Sequence, residues 1–104
     1  MYYVGNAFSP NMIEGDCTLK ITQIDKFHFV EACAKYKSII GHPEIADLFG
    51  VKYNRESITL EKGDVLYTVT PHIRPLANRV VKDGTRYTFI PEEDGYTYRR
   101  IEVL

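Results

Sequence analysis

The period of the hydrophobic pattern changes abruptly at Asp25, and that change constrains the chain more than any other feature. Before it, "CTLKITQI" (17–24) sets Leu19, Ile21 and Gln23 against Thr18, Lys20 and Thr22, the alternation of a half-buried strand. After it, Phe29, Val30, Cys33 and Tyr36 or Lys37 recur at helical spacing, with Phe27 and Ala34 close by. Asp25 itself is a residue type that caps helix N-termini, so the spacing predicts a helix over roughly 26–38.

The remaining segments extend this pattern. "MYYVGNAF" opens the chain as a short strand of aromatic and β-branched residues, and "SPN" stops it. "HPEIADLFG" reads as a short second helix. Pro43 suits its first position, Glu44 favours its positive end, and Gly50 supplies a stop. "ESITLEKGDVLYTVT" is expected to form a hairpin over about 57–70 with a turn at Lys62-Gly63-Asp64. "PHIRPLANR", broken by Pro71 and Pro75, reads as a loop, "RYTFI" as a short strand, and "YTYRRIEVL" as a closing strand. Several strands with two interposed helices predict an α+β fold, a mixed sheet flanked by helices.

Composition limits the rest. The 104 residues suit one domain spanning 1–104, large enough to bury a core without metal or disulfide support. A net charge of −1 argues against a protein that coats long DNA or RNA, which needs an excess of Lys and Arg. It leaves room for a small anionic ligand held by a few converging arginines. Cys17 and Cys33 match no zinc or redox spacing, His28, His42 and His72 are scattered, and Cys33 reads as a reduced core thiol. No apolar run approaches membrane-spanning length, and the first residues lack the basic and apolar regions of a signal peptide. A cytoplasmic protein is expected.

Three groups of residues are candidates for chemistry. In "NAFSPNM", Asn6, Ser9 and Asn11 place two amides and a hydroxyl after the first strand. They form either an ordinary turn or a cluster of uncharged donors for phosphate, ribose or base edges. Arg55 and Arg74 flank the expected hairpin, whose return would bring both guanidiniums to one sheet edge as a phosphate clamp. His42 is either a helix-entry residue or a general acid facing a phosphodiester. There is no GxxxxGK[ST] loop, no GxSxG elbow and no His/Asp metal cluster, so phosphodiester chemistry here is expected to use neither metal nor cofactor.

In this order, "NAFSPNM", "IGHP" and "NRESITLEKGDVLYTVTPHIR" resemble a family over roughly residues 1–76. It is that of the viral and mobile-element ring nucleases, type III anti-CRISPR proteins that degrade cyclic tetra-adenylate. The resemblance implies an α+β homodimer enclosing one cyclic oligonucleotide between its subunits. It assigns Asn6, Ser9 and Asn11 to a polar cradle, Arg55 and Arg74 to phosphate binding, and His42 to catalysis. In the chemistry it implies, a ribose 2′ hydroxyl attacks its own 3′ phosphate and the histidine protonates the departing 5′ oxygen. The expected setting is the cytoplasm, that of the host cell if a phage encodes the protein.

The chain departs from the family after Arg74. Members carry an "R-L-x-E-G" type run, whereas this sequence reads "RPLANRVV", with Ala77 at the expected acidic position and Arg79 nearby. That departure motivates an alternative, a sponge that captures a cyclic nucleotide without cutting it. A third reading is a structural or DNA-associated accessory protein of a mobile element, with no small ligand.

Overall fold

A computed structural model of the chain describes residues 1–71 and 95–104. The elements, in order, are β1 (Tyr2–Gly5), a 3-10 turn (Pro10–Met12), β2 (Leu19–Ile24), α1 (Lys26–Lys35), β3 (Lys37–Ser38), α2 (Pro43–Phe49), β4 (Val65–Pro71) and β5 (Tyr96–Val103). The five strands form one sheet in the order β2-β5-β4-β1-β3. β1 runs parallel to both β3 and β4, while β5 is antiparallel to β4 and β2. The sheet is therefore mixed and the fold is α+β, as the alternating patterns predict.

Each face of the sheet has its own core. Val4, Val69 and Tyr98 point to one face, where they meet Phe29 and Ala32 of α1 and Ile45 and Ala46 of α2. Phe29 packs edge-on against Phe49 with centroids 5.0 Å apart, which ties the two helices together. Tyr3, Leu66, Ile101 and Val103 point to the other face. There Leu60, Met12, Ile13 and Ile58 cover them, so among the described residues loop chain and the 3-10 turn seal that side. Among the described residues no helix is long and apolar enough to cross a membrane.

The helix boundaries follow local chemistry. The Asp25 carboxylate accepts the His28 backbone N–H at 2.9 Å and starts α1. Pro43 begins α2, and Gly50 ends it in the left-handed region at φ 66°.

Four expectations need correction. The first helix stops at Lys35, not near 38, because Tyr36 turns extended and Lys37 and Ser38 pair with Tyr3 and Val4. The hairpin over 57–70 does not form. Its turn exists, with Gly63 at φ 94°, but the chain before it makes only an isolated parallel bridge, Ile13 to Leu60. β4 lies instead between β1 and β5, where both its edges are paired and both its faces covered. β2 is less buried than its alternation suggests: among the described strands it lies at the sheet edge, and Ile21 is 56% exposed. The opening strand, finally, ends at Gly5. The expected loop "PHIRPLANR" beyond Pro71 and the expected strand "RYTFI" lie outside the described residues.

Candidate binding cleft

A cleft opens beside the carboxyl end of β1. This strand has parallel neighbours on both sides, β3 and β4, so the chain leaving it enters the space between the segments that flank them. Asn6 is the first residue beyond that end. Its side-chain oxygen accepts the Gly41 backbone N–H at 3.0 Å, which joins the exit of β1 to the turn entering α2.

A second set of bonds brings Arg55 to the same place. The Asn54 backbone N–H donates to the Ile40 carbonyl at 2.9 Å, and its side-chain amide donates to the Ser38 carbonyl at 3.0 Å. The Asn54 side-chain oxygen accepts the Glu56 N–H at 3.1 Å, forming a tight local turn around Arg55. Ser38 adds a bond from its hydroxyl to the Lys52 carbonyl at 2.7 Å. Arg55 packs beside Gly41, where a Cβ would meet the Arg55 Cγ at 3.4 Å, an ordinary van der Waals contact.

The charges around Arg55 leave its guanidinium available. Glu56 is the nearest acidic residue in sequence, yet its carboxylate pairs with the Lys37 ammonium at 3.0 Å and with the Asn54 amide at 3.3 Å. Those hydrogen bonds, Lys37 first, hold its pKa below the ordinary value. Arg55 is exposed and has no ion-pair partner among the described residues.

Asn6, Asn11 and Arg55 line one cleft of about 370 Å3, together with Gly41, Met12 and Ile58. Ser9 is not a wall residue. Its hydroxyl caps the short turn by accepting the Asn11 N–H at 3.3 Å, so it positions Asn11 instead. His42 follows Gly41 directly and is exposed. Its carbonyl accepts the Ala46 N–H at 3.0 Å, but its ring makes no capping bond and does not line the cleft. Arg74, with Ala77 and Arg79, lies outside the described residues. The hairpin that would have set Arg74 beside Arg55 is absent, and Arg55 reaches the cleft through Asn54 instead.

Sequence reading overlooked Asn54 and Gly41. Asn54 carried a legible local signal, an Asn two residues before the Glu whose N–H it accepts. The role of Gly41 depends on a backbone bond to Asn6, 35 residues away, that only the fold brings about. A larger cleft of about 560 Å3 borders Glu14, Asp16, Cys17, Glu61 and Lys62. Its three carboxylates against one ammonium make it a poor seat for a phosphate. Among the described residues no group of three His, Cys, Asp or Glu is placed to hold a metal ion.

No protein-family model matches the chain, and no curated protein matches it. Among solved structures the chain is similar to B116 of Sulfolobus turreted icosahedral virus, with a TM-score of 0.69 and 17% identity over 97% of both chains. At that identity the likeness concerns the fold alone. The chain shares its fold, over nearly its whole length, with a protein of a virus.

Proposed function

We propose that this protein binds a cyclic oligoadenylate, with cyclic tetra-adenylate the leading candidate, and opens the ring without a metal. One observation carries the reading: Asn6, Asn11 and Arg55 converge on one cleft at the end of β1, with His42 adjoining it in sequence. The Arg55 guanidinium, without an ion-pair partner among the described residues, suits a phosphodiester, and the amides suit ribose and base edges. The ribose 2′ oxygen attacks phosphorus in line, the bond to the 5′ oxygen breaks, and the 2′ proton passes to water. His42 protonates the departing 5′ oxygen, leaving a linear product with a 2′,3′-cyclic phosphate. A ring with repeated phosphates suits two symmetry-related clefts, so the working species is a homodimer. The reaction would silence nucleases that the messenger activates in the cytoplasm of a virus's host, the role of a type III anti-CRISPR ring nuclease.

The position of the His42 ring outside the cleft wall favours a second reading, in which the same cleft captures the ring intact. One experiment separates the two. The protein is incubated with cyclic tetra-adenylate and EDTA, heat-denatured, and the released nucleotide is separated by chromatography. Linear fragments support cleavage, and intact ring recovered with the protein supports capture. Ring that never associates with the protein rejects both.

A further inference from the structure

Glu56 lines the same cleft as Arg55, and among the described residues these two are the only charged ones in its wall. Side by side their charges cancel, which would leave a cleft with little preference for an anion. Lys37 alters that sum from outside the wall, where its ammonium meets the Glu56 carboxylate at 3.0 Å. We infer that Lys37 is a positioning residue for the phosphate seat: it holds Glu56 off the Arg55 guanidinium and so leaves that guanidinium to the ligand. The inference rests on the proposed binding reading and adds to it a residue that does not touch the ring.

A half-exposed Lys–Glu pair is ordinary and contributes little to stability. Its setting distinguishes this one. β3 is only two residues long, Lys37 and Ser38, paired with Tyr3 and Val4 of β1. Ser38 ties the segment after α2 to that strand at two points. Its hydroxyl donates to the Lys52 carbonyl at 2.7 Å, and its carbonyl accepts the Asn54 side-chain amide at 3.0 Å. Residues 52–56 therefore run beside β3, which brings Glu56 within reach of Lys37. The Asn54 amide also donates at 3.3 Å to the carboxylate oxygen that Lys37 meets, so both partners hold Glu56 through one atom.

Removing the ammonium changes the balance. The carboxylate would keep its bond from the neutral Asn54 amide, and the guanidinium next to it in sequence is the stronger donor. Glu56 is half-exposed, so its side chain has room to turn. An Arg55–Glu56 pair would then fill the phosphate seat with the protein's own carboxylate. The hydrogen bonds to Glu56, Lys37 first, hold its pKa below the ordinary value, so the competing charge is present at neutral pH.

The test titrates cyclic tetra-adenylate into the His42→Ala protein, in which the ring stays intact. Lys37→Met, Lys37→Arg, Glu56→Gln and the Lys37→Met/Glu56→Gln pair are then added to that background. Lys37→Met should weaken ring binding about fourfold, the competition expected from one exposed ion pair. Lys37→Arg should keep the affinity. With Glu56→Gln already present, Lys37→Met should cost almost nothing, because no carboxylate remains to compete. A defect in folding caused by Lys37→Met would persist in the double variant, so this rescue separates positioning from stability. Ring affinity unaltered by Lys37→Met overturns the inference, and so does an equal loss with and without the Glu56 carboxylate. If neither wild type nor His42→Ala binds the ring, the binding reading falls and the Lys37 assignment falls with it. Ring binding that ignores Lys37 removes only the latter.

Discussion

The Asn6 side-chain oxygen accepts the Gly41 N–H at 3.0 Å, across 35 residues of sequence. This bond holds the end of β1 against the turn that carries His42, so the polar wall of the cleft also sets the position of the proposed acid. Two substitutions separate these tasks. Asn6→Ala removes the acceptor and should cost about 1 kcal/mol of stability as well as ring binding. Asn6→Asp keeps the acceptor but places a negative charge beside Arg55, so it should fold normally and bind the ring poorly. Urea unfolding and calorimetry on the two proteins check this; equal ring affinity in Asn6→Asp and wild type would argue against a phosphate seat here.

His42 contributes no side-chain bond to α2. His42→Ala should therefore leave the unfolding midpoint unchanged and bind the ring as before, while cleavage falls by about 10²–10⁴-fold. Single-turnover rates with excess protein provide the measurement. Undiminished cleavage in this variant would remove His42 from the chemistry.

Gly50 closes α2 at φ 66°, where the Val51 N–H reaches the Ala46 carbonyl at 3.0 Å. A side chain in that region is strained, so Gly50→Ala should destabilise by roughly 1 kcal/mol. The effect belongs to stability alone, and ring affinity under folding conditions should stay at the wild-type value.

The two cysteines should react differently. Burial pushes the Cys33 thiol up to about 11, whereas Cys17 is exposed. At mildly alkaline pH a maleimide should add once to the native protein, at Cys17, and twice after denaturation. Peptide mapping that finds Cys33 labelled in the native state would contradict the packing of α1.

Burial pushes the Asp64 carboxyl up, but the Glu61 N–H at 2.9 Å and the Met1 ammonium at 2.9 Å outweigh it. The group is held below its ordinary 3.8. A depressed folded-state pKa gives stability that is present above 3.8 and lost as pH falls through the folded value. Asp64→Asn should therefore show a shallower acid decline than wild type in urea midpoints taken across the acid range. Parallel declines would mean that Asp64 makes no such contribution.

Much of this architecture was legible residue by residue. Asp25, Pro43 and Gly50 mark helix ends through bonds or dihedrals within a few positions, so each boundary they set lies in neighbouring residues. The alternation in 96–103 likewise announces β5. Tyr36 leaves the helix despite its helical spacing, because the pairing of Lys37 and Ser38 with β1, more than thirty residues away, competes with another turn of α1.

The sequence by itself determined the α+β class, the helix caps and the residue types able to meet a phosphate. Which strands pair was a tertiary decision. Backbone hydrogen bonds carry no side-chain identity, so Val65–Pro71 paired where both of its faces could be covered, between β1 and β5 and not against residues 57–61. That choice also made the site. It set β1 between two parallel neighbours, and it left Arg55 to be brought to the cleft by Asn54 instead of by a hairpin.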